Sequence, residues 1–351
     1  IPLYALGCAK YVQVYFPNLS VSLVAVGILT FIFIINLLGV KLAAQIQGIF
    51  VIILLSALIY YSASGLVAID PQNFSSLFAN GLPNLFIGTA LLTFTYVGAN
   101  GIIELGGEII NPGKVIPRAF FIAFPIILVV YVLVAIATVG PVPAQVLLGS
   151  KEPLISVGRL TLGKPGLLFF VTGGAVLALV TTLNALFIVG TKSLLMIVQD
   201  RLLPEWLGRL NPRFGTPQIL LTIIWIFSVA GIVAGFSLET LASYATLGVL
   251  IIFMPIQIAS IRLPKLYPDR YRRSGFKLTG FWLWFCPVVG ILMVVFFSII
   301  ILYDLKSPLK IGSFLVFIIS GAAYYLLRKR YLRSTGLHLE NLNKHESTWD
   351  I

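Results

Sequence analysis

Apolar positions in this chain come in unbroken runs, not in alternation. Val21 to Leu38 and Gly280 to Leu302 show no every-second-residue pattern and hold few polar residues. A helix needs about 20 apolar residues to cross about 30 Å of hydrocarbon, whereas a barrel strand shows about ten residues of alternating polarity. The runs therefore read as helices, which satisfy their own backbone hydrogen bonds where no water can. Punctuated by proline, glycine and charge, the pattern predicts spans over residues 1–15, 20–38, 43–62, 84–108, 117–140, 167–198, 217–235, 240–260, 280–302 and 309–328. The first is too short and too polar for a full crossing and reads as the tail of a helix whose beginning is absent.

One span breaks its own pattern. Between Phe94 and Ala119 the sequence is FTYVGANGIIELGGEIINPGKVIPRA, which opens in an apolar run and closes in what reads as a proline-broken basic loop. Each glycine inside a helix costs about 1 kcal/mol relative to alanine, yet Gly98, Gly101, Gly106 and Gly107 stand close together, with Asn100 among them. Two readings of this spacing stand side by side. Small residues let helices approach closely, so the glycines form a packing face. Alternatively the helix unwinds near Gly98 to Gly101 and exposes peptide groups, an arrangement tolerated at membrane depth only where protein or a water-filled cavity covers it.

Composition sharpens the class. Hydrophobic residues make up 59% of the 351 residues, charged ones 10%, and mean hydropathy is +1.02; soluble domains carry about 25% charged residues. The net charge of +12 is distributed as topology information and not as a nucleic-acid footprint. Most of the 24 Lys and Arg fall in connections on one side, and only Lys10, Lys151, Arg159, Lys164, Lys306 and Lys310 fall on the other. The positive-inside rule makes the first side, with the C-terminus, cytoplasmic. Cys8 and Cys286 have no partner at metal or redox spacing and read as core packing. Both histidines, His338 and His345, lie in the polar tail, and the longest non-spanning stretches, 63–83, 141–166 and the residues after 330, are too short for a catalytic domain. These features argue against an enzyme and against a metal site.

Four stretches resemble the amino acid, polyamine and organocation superfamily of permeases. Phe94, Gly98, Glu108, Asn111-Pro112 and Ile116-Pro117-Arg118-Ala119 are similar to its sixth transmembrane segment and the exit from it. Leu183-Asn184-Ala185 with Thr191-Lys192, Asp200 and Leu203-Pro204 resembles the eighth segment. Arg262, Tyr267-Pro268-Asp269 and the basic stretch to Lys277 resemble the loop after the tenth, and Asn36 to Lys41 resembles the fourth-to-fifth connection. The resemblance implies an all-α integral membrane protein with the five-plus-five inverted-repeat, leucine-transporter-like fold. About nine full transmembrane helices and a partial one would make a single transmembrane domain over 1–351. Residues 1–62 would be the remainder of the first repeat, 84–260 the second, 280–328 two additional helices and 331–351 a cytoplasmic tail. The first two segments and part of the third have no counterpart, so the expectation is an N-terminally truncated chain that does not transport as written.

For function, the resemblance implies a multi-pass plasma-membrane transporter that moves amino acids by alternating access. Its partners would be a small-molecule substrate and the lipid bilayer, with no nucleic acid and no cofactor beyond Na+ or H+ coupling. Phe94 would close over the substrate, and the carbonyls of Phe94 and Val97 would accept from its amino group. Tyr96, Gly98, Asn100, Gly101, Asn184 and Ser243 would complete the substrate site, with Ser243, Tyr244 and Thr246 marking a further wall. Asn100 stands where many relatives carry glutamate, which removes one proton carrier. Thr181 and Thr182 would face a coupling cation, and Glu104, Glu108 and Lys192 would form a cytoplasmic gate. Each has a plainer alternative: hydroxyls bond back to the preceding turn, Phe94 packs, the glutamates are solvated and Lys192 snorkels to the surface. No lysine lies between Ile46 and Tyr60 to replace a cation, which leaves sodium coupling, exchange and uniport as alternatives. With no carboxylate in the middle of the sixth, eighth or tenth segments, small neutral amino acids are favoured over polyamines or cationic amino acids. A channel is the rival from another class.

Overall fold

The computed structural model describes residues 1–75, 81–92, 98–99, 101–150, 152–304 and 308–336. Among these, every regular element is helical. The chain begins with α1 (Pro2–Gln13), α2 (Val21–Leu37), α3 (Val40–Val67) and α4 (Gly81–Leu92), followed by the single turn α5 (Gly101–Glu104) and the long α6 (Pro112–Val139). Two short helices, α7 (Ala144–Gly149) and α8 (Pro153–Thr161), precede α9 (Lys164–Phe169), which continues through a π-helical stretch, Phe170–Val176, into α10 (Leu177–Gln199). The remainder is α11 (Gln218–Val233), α12 (Leu238–Leu266), α13 (Pro268–Arg273), α14 (Phe281–Asp304) and α15 (Pro308–Ser334). Helices over α3, α6, α9–α10, α12, α14 and α15 are long and apolar enough to cross a membrane, and α2 and α11 are shorter apolar helices.

The core is built where small residues let helices meet. Ala5, Cys8 and Ala9 on α1, Ala25, Leu29 and Ile32 on α2, and Leu183 and Phe187 on α10 form one buried cluster. Between lipid-bathed helices the attraction is close packing and hydrogen bonding, because lipid tails are as apolar as leucine. A second cluster joins α3, α6, α8 and the π-helical stretch. There the Tyr61 ring stacks on Phe170 with centroids 4.2 Å apart, and the Tyr61 hydroxyl lies 3.0 Å from Thr138 Oγ1. The π-helical stretch contains the pair Gly173-Gly174, and a Cβ on either would stand 3.5 Å from the Ala57 Cβ of α3. Closer still is Gly65 on α3, where an added Cβ would lie 2.5 Å from the Ala137 carbonyl oxygen of α6.

Three local readings of the sequence change in the structure. The stretch read as a proline-broken loop ahead of the span predicted from residue 117 is helical from Pro112, so that Ile116-Pro117-Arg118-Ala119 forms the second turn of α6. Asn111, at φ 54° and ψ 55°, turns the chain, and Pro112 opens the helix where a missing N–H costs nothing. Pro117 and Pro125 then lie inside α6, each removing one ladder bond from a helix of 28 residues whose other bonds persist, a loss that packed membrane helices absorb. Second, α12 continues past residue 260 to Leu266, so Arg262 and Lys265 are helical. Third, Cys8 is buried as expected, but Cys286 is exposed on the outside of α14. The stretch 141–166 also holds two helices that the span pattern passed over; Ile155 and Val157 of α8 are buried in the second cluster.

Replacing Gly65 by alanine is expected to destabilise the α3–α6 crossing by about 1–3 kcal/mol, the usual cost of overpacking. Gly27, whose Cβ would meet nothing within 4 Å, is the control, and Gly27→Ala should hold or raise stability. Thermal unfolding in detergent reads both, and an unchanged transition in Gly65→Ala would refute the tight crossing.

Candidate functional site

The interruption anticipated near Gly98 is present in the described backbone. Between α4 (Gly81–Leu92) and α5 (Gly101–Glu104), Gly98 stands at φ +99°, an angle that a right-handed helix cannot pass through. Glycine is required here by conformation, since a Cβ at Gly98 would meet nothing within 4 Å. Gly101 N–H then donates to Gly98 O at 2.9 Å, and α5 begins. Gly101 is a glycine for the other reason, contact: its Cβ would lie 2.7 Å from Val189 Cγ2 on α10. Of the glycines read as a packing face, Gly101 packs in this way, whereas a Cβ on Gly98 or Gly107 would meet nothing within 4 Å. Beyond α5 the chain makes only the 3-10 turn Gly106–Glu108 before Asn111 turns it into α6. Phe94, Tyr96, Val97 and Asn100 lie outside the described residues, as do the side chains of Glu104 and Glu108.

α10 carries the other candidates, and the structure shows what each polar atom touches. Asn184 is 2% exposed. Its Oδ1 accepts from Asn36 Nδ2 at 2.8 Å, while its own Nδ2 donates to Ala43 O at 3.0 Å and to Gln47 Oε1 at 3.1 Å. Asn36, itself buried, gives its second Nδ2 proton to Ile32 O at 2.9 Å. Three helices, α2, α3 and α10, are thus joined by one amide network. The sequence reading used Asn36 only as part of a motif. The signal that marks it is an amide within an apolar run, the same feature that singles out Asn184.

The hydroxyl candidates follow the conservative expectation. Thr181 Oγ1 and Thr182 Oγ1 both donate to Ala178 O, at 3.0 and 2.8 Å. A hydroxyl that donates into its own helix presents only lone pairs to a neighbour. Ser243 Oγ donates to Glu239 O at 2.9 Å, and Thr246 to Ala242 O at 2.9 Å. Tyr244 does not join them: its hydroxyl donates to Lys310 O at 3.0 Å and meets Ser313, and its ring stacks on Phe314, which commits it to α15.

One cavity borders the amide network and a second lies along α1. The smaller, about 70 Å³, is lined by Asn36, Thr191, Lys192 and Thr216 with apolar neighbours from α10 and α11. That is room for a few water molecules. The larger, about 440 Å³, lies beside Lys10, Tyr11 and Gln13 of α1 and Glu152, where Gln13 Nε2 reaches Leu19 O near the start of α2. The described residues thus show Gly98 outside helical angles, Gly101 packed on Val189 of α10, a buried amide lock about five residues away on α10, and two mainly apolar cavities. Among the described residues no group of His, Cys, Asp and Glu could hold a metal ion.

A family model described as amino acid permease matches residues 1–325. The branched-chain amino acid permease BcaP of Bacillus subtilis (strain 168) is 26% identical over 295 residues, covering 84% of this chain and 61% of that protein. The methylthioribose transporter of the same organism is 25% identical over 294 residues, with 83% and 61% covered. Cationic amino acid transporter 1 of Arabidopsis thaliana is 26% identical over 236 residues, with 67% and 39% covered. The chain spans about three fifths of the length of the first two relatives.

Asn184→Leu and Asn36→Leu should each destabilise the protein by about 1–3 kcal/mol, because each strands a buried partner. The double variant should cost less than the two together, since the partners leave as a pair. A double-mutant cycle by chemical or thermal unfolding reads the coupling; strict additivity would mean that the amides do not act as a unit.

Proposed function

We propose, from the premise that this chain belongs to the amino acid permease family, that it acts in secondary active transport of small neutral amino acids across a membrane, with the substrate held beside the break at Gly98. The observation that carries this reading is that break. Peptide groups released from helical bonding need partners, and a substrate with an ammonium and a carboxylate supplies both a donor and an acceptor. The carbonyls of Phe94 and Val97 are assigned to the amino group, with Tyr96, Asn100 and Gly101 around it and Phe94 as the closing ring.

The preference for a neutral side chain rests on charge. α10 contains no Asp or Glu, and α12 has only Glu239 in its first turn, so no carboxylate on either helix would balance a cationic substrate deep between them. Thr181 and Thr182 are assigned to a coupling cation, because their donors are spent on Ala178 O and oxygen lone pairs suit a hard ion. Asn184 and Ser243 are retained as walls of the substrate site, Asn184 chiefly by holding α10 against α2 and α3. Glu104, Glu108 and Lys192 are assigned to an inner gate. The basic connections are placed on the cytoplasmic side, and access alternates by rocking one helix bundle against another, as in inverted-repeat carriers.

The test is uptake into proteoliposomes by the protein expressed from its whole open reading frame, with a labelled amino acid panel and with or without sodium and proton gradients. Saturable uptake or counter-exchange of neutral amino acids is expected. Phe94→Ala should raise the half-saturating concentration about tenfold, equivalent to about 1.4 kcal/mol. Flux that rises without saturation would favour a channel, and no uptake of any panel member would overturn the substrate assignment.

A further inference from the structure

Independently of transport, we propose that the groove between the last turns of α12 and the first turns of α14 is a binding site for an anionic phospholipid. The groove has a volume of about 480 Å³ and is lined by Ile258, Ile261, Arg262, Lys265, Leu266 and Trp284. Its chemistry is graded along its length. Ile258, Arg262 and Lys265 are spaced four and three apart and share one stripe of α12. The apolar member lies toward the middle of the helix and the two cations toward its end.

The inner limit of the groove is set by a close approach of the two helices. A Cβ on Gly290 of α14 would lie 2.7 Å from Gln257 Nε2 of α12. One residue beyond Gln257 the lining begins with Ile258, and on α14 it resumes at Trp284 in the first turn. Both helices are long and apolar enough to span a membrane, so this end lies where hydrocarbon gives way to headgroups. An exposed Trp284 is the residue type that settles at that level.

Charge identifies the occupant. The lining holds two cations and no acid. Among the described residues no ion pair or hydrogen bond engages the side chain of Arg262 or Lys265. α13 continues the positive potential outward with Arg270, Arg272 and Arg273 in its last turn. A guanidinium receives two phosphate oxygens in a fork and an ammonium acts as a point charge beside it. A free phosphate would use those two groups and leave the wall of isoleucine, leucine and tryptophan without a role. A phospholipid uses both, with its phosphate at Arg262 and Lys265 and an acyl chain along Ile258 and Ile261.

Native mass spectrometry of the detergent-purified protein, offered dioleoylphosphatidylglycerol and dioleoylphosphatidylcholine, tests the site without reference to uptake. Retention of phosphatidylglycerol at least about tenfold over phosphatidylcholine is expected. The preference should vanish in R262Q/K265Q and in the second variant Ile258→Asn, which keeps both cations and adds no charge but spoils the acyl wall, and it should survive in R272Q/R273Q. Equal retention of the two lipids, displacement by millimolar inorganic phosphate, persistence of the preference in R262Q/K265Q or Ile258→Asn, or an equal loss in R272Q/R273Q would each overturn the assignment.

Discussion

A polar atom away from water must find its partner inside the protein, and that constraint governs the buried polar side chains of this chain. Leaving such an atom unpaired costs several kcal/mol in hydrocarbon. Among the described residues no buried side-chain nitrogen or oxygen lacks a partner. The amide network of Asn36, Gln47 and Asn184 is the clearest case, since three side chains and two backbone carbonyls on three helices complete one another. Such directional bonds fix the rotation and height of a helix in a way that contacts between apolar side chains do not. The register of α2, α3 and α10 follows from them, and the packing of α1 and α11 on α2 and α10 is built around that frame.

The helices were largely legible because hydrocarbon thickness leaves a coarse mark on sequence: a run of about 20 apolar residues needs no partner to be recognised. The break was legible for a related reason. Glycines are costly in a helix, and several together around Asn100 signal that something other than helical stability is served. What was hidden depends on tertiary partners. Pro117 looks like a helix breaker when read alone, but Asn111 and Pro112 had already opened α6 ahead of it. α8 is too short and too mixed to stand out as a span, yet Ile155 and Val157 are buried by the second cluster. The meeting of Asn36 with Asn184 joins residues 148 positions apart, and nothing in the spacing of either predicts the other. Tyr244 was grouped with Ser243 by adjacency, whereas neighbours on a helix point about 100° apart, and its ring belongs to α15.

α10 is where these strands of the structure meet, and its two kinds of contact differ in what they permit. Toward α2 and α3 it is held by Asn184 through hydrogen bonds to Asn36, Ala43 and Gln47. Toward α5 its close neighbour is Gly101, set against the Val189 side chain. Hydrogen bonds between buried amides break at a cost of about 1–3 kcal/mol each when their partners are left stranded. A glycine lying on a valine loses only dispersion energy as it shifts, about 0.1–0.2 kcal/mol per atom pair. Under the proposed rocking, a boundary between α10 and the segment of Gly98 and Gly101 would be the cheaper one to shift. A lock requires donors and acceptors that match in only one register, whereas the contact at Val189 requires only that nothing project from Gly101.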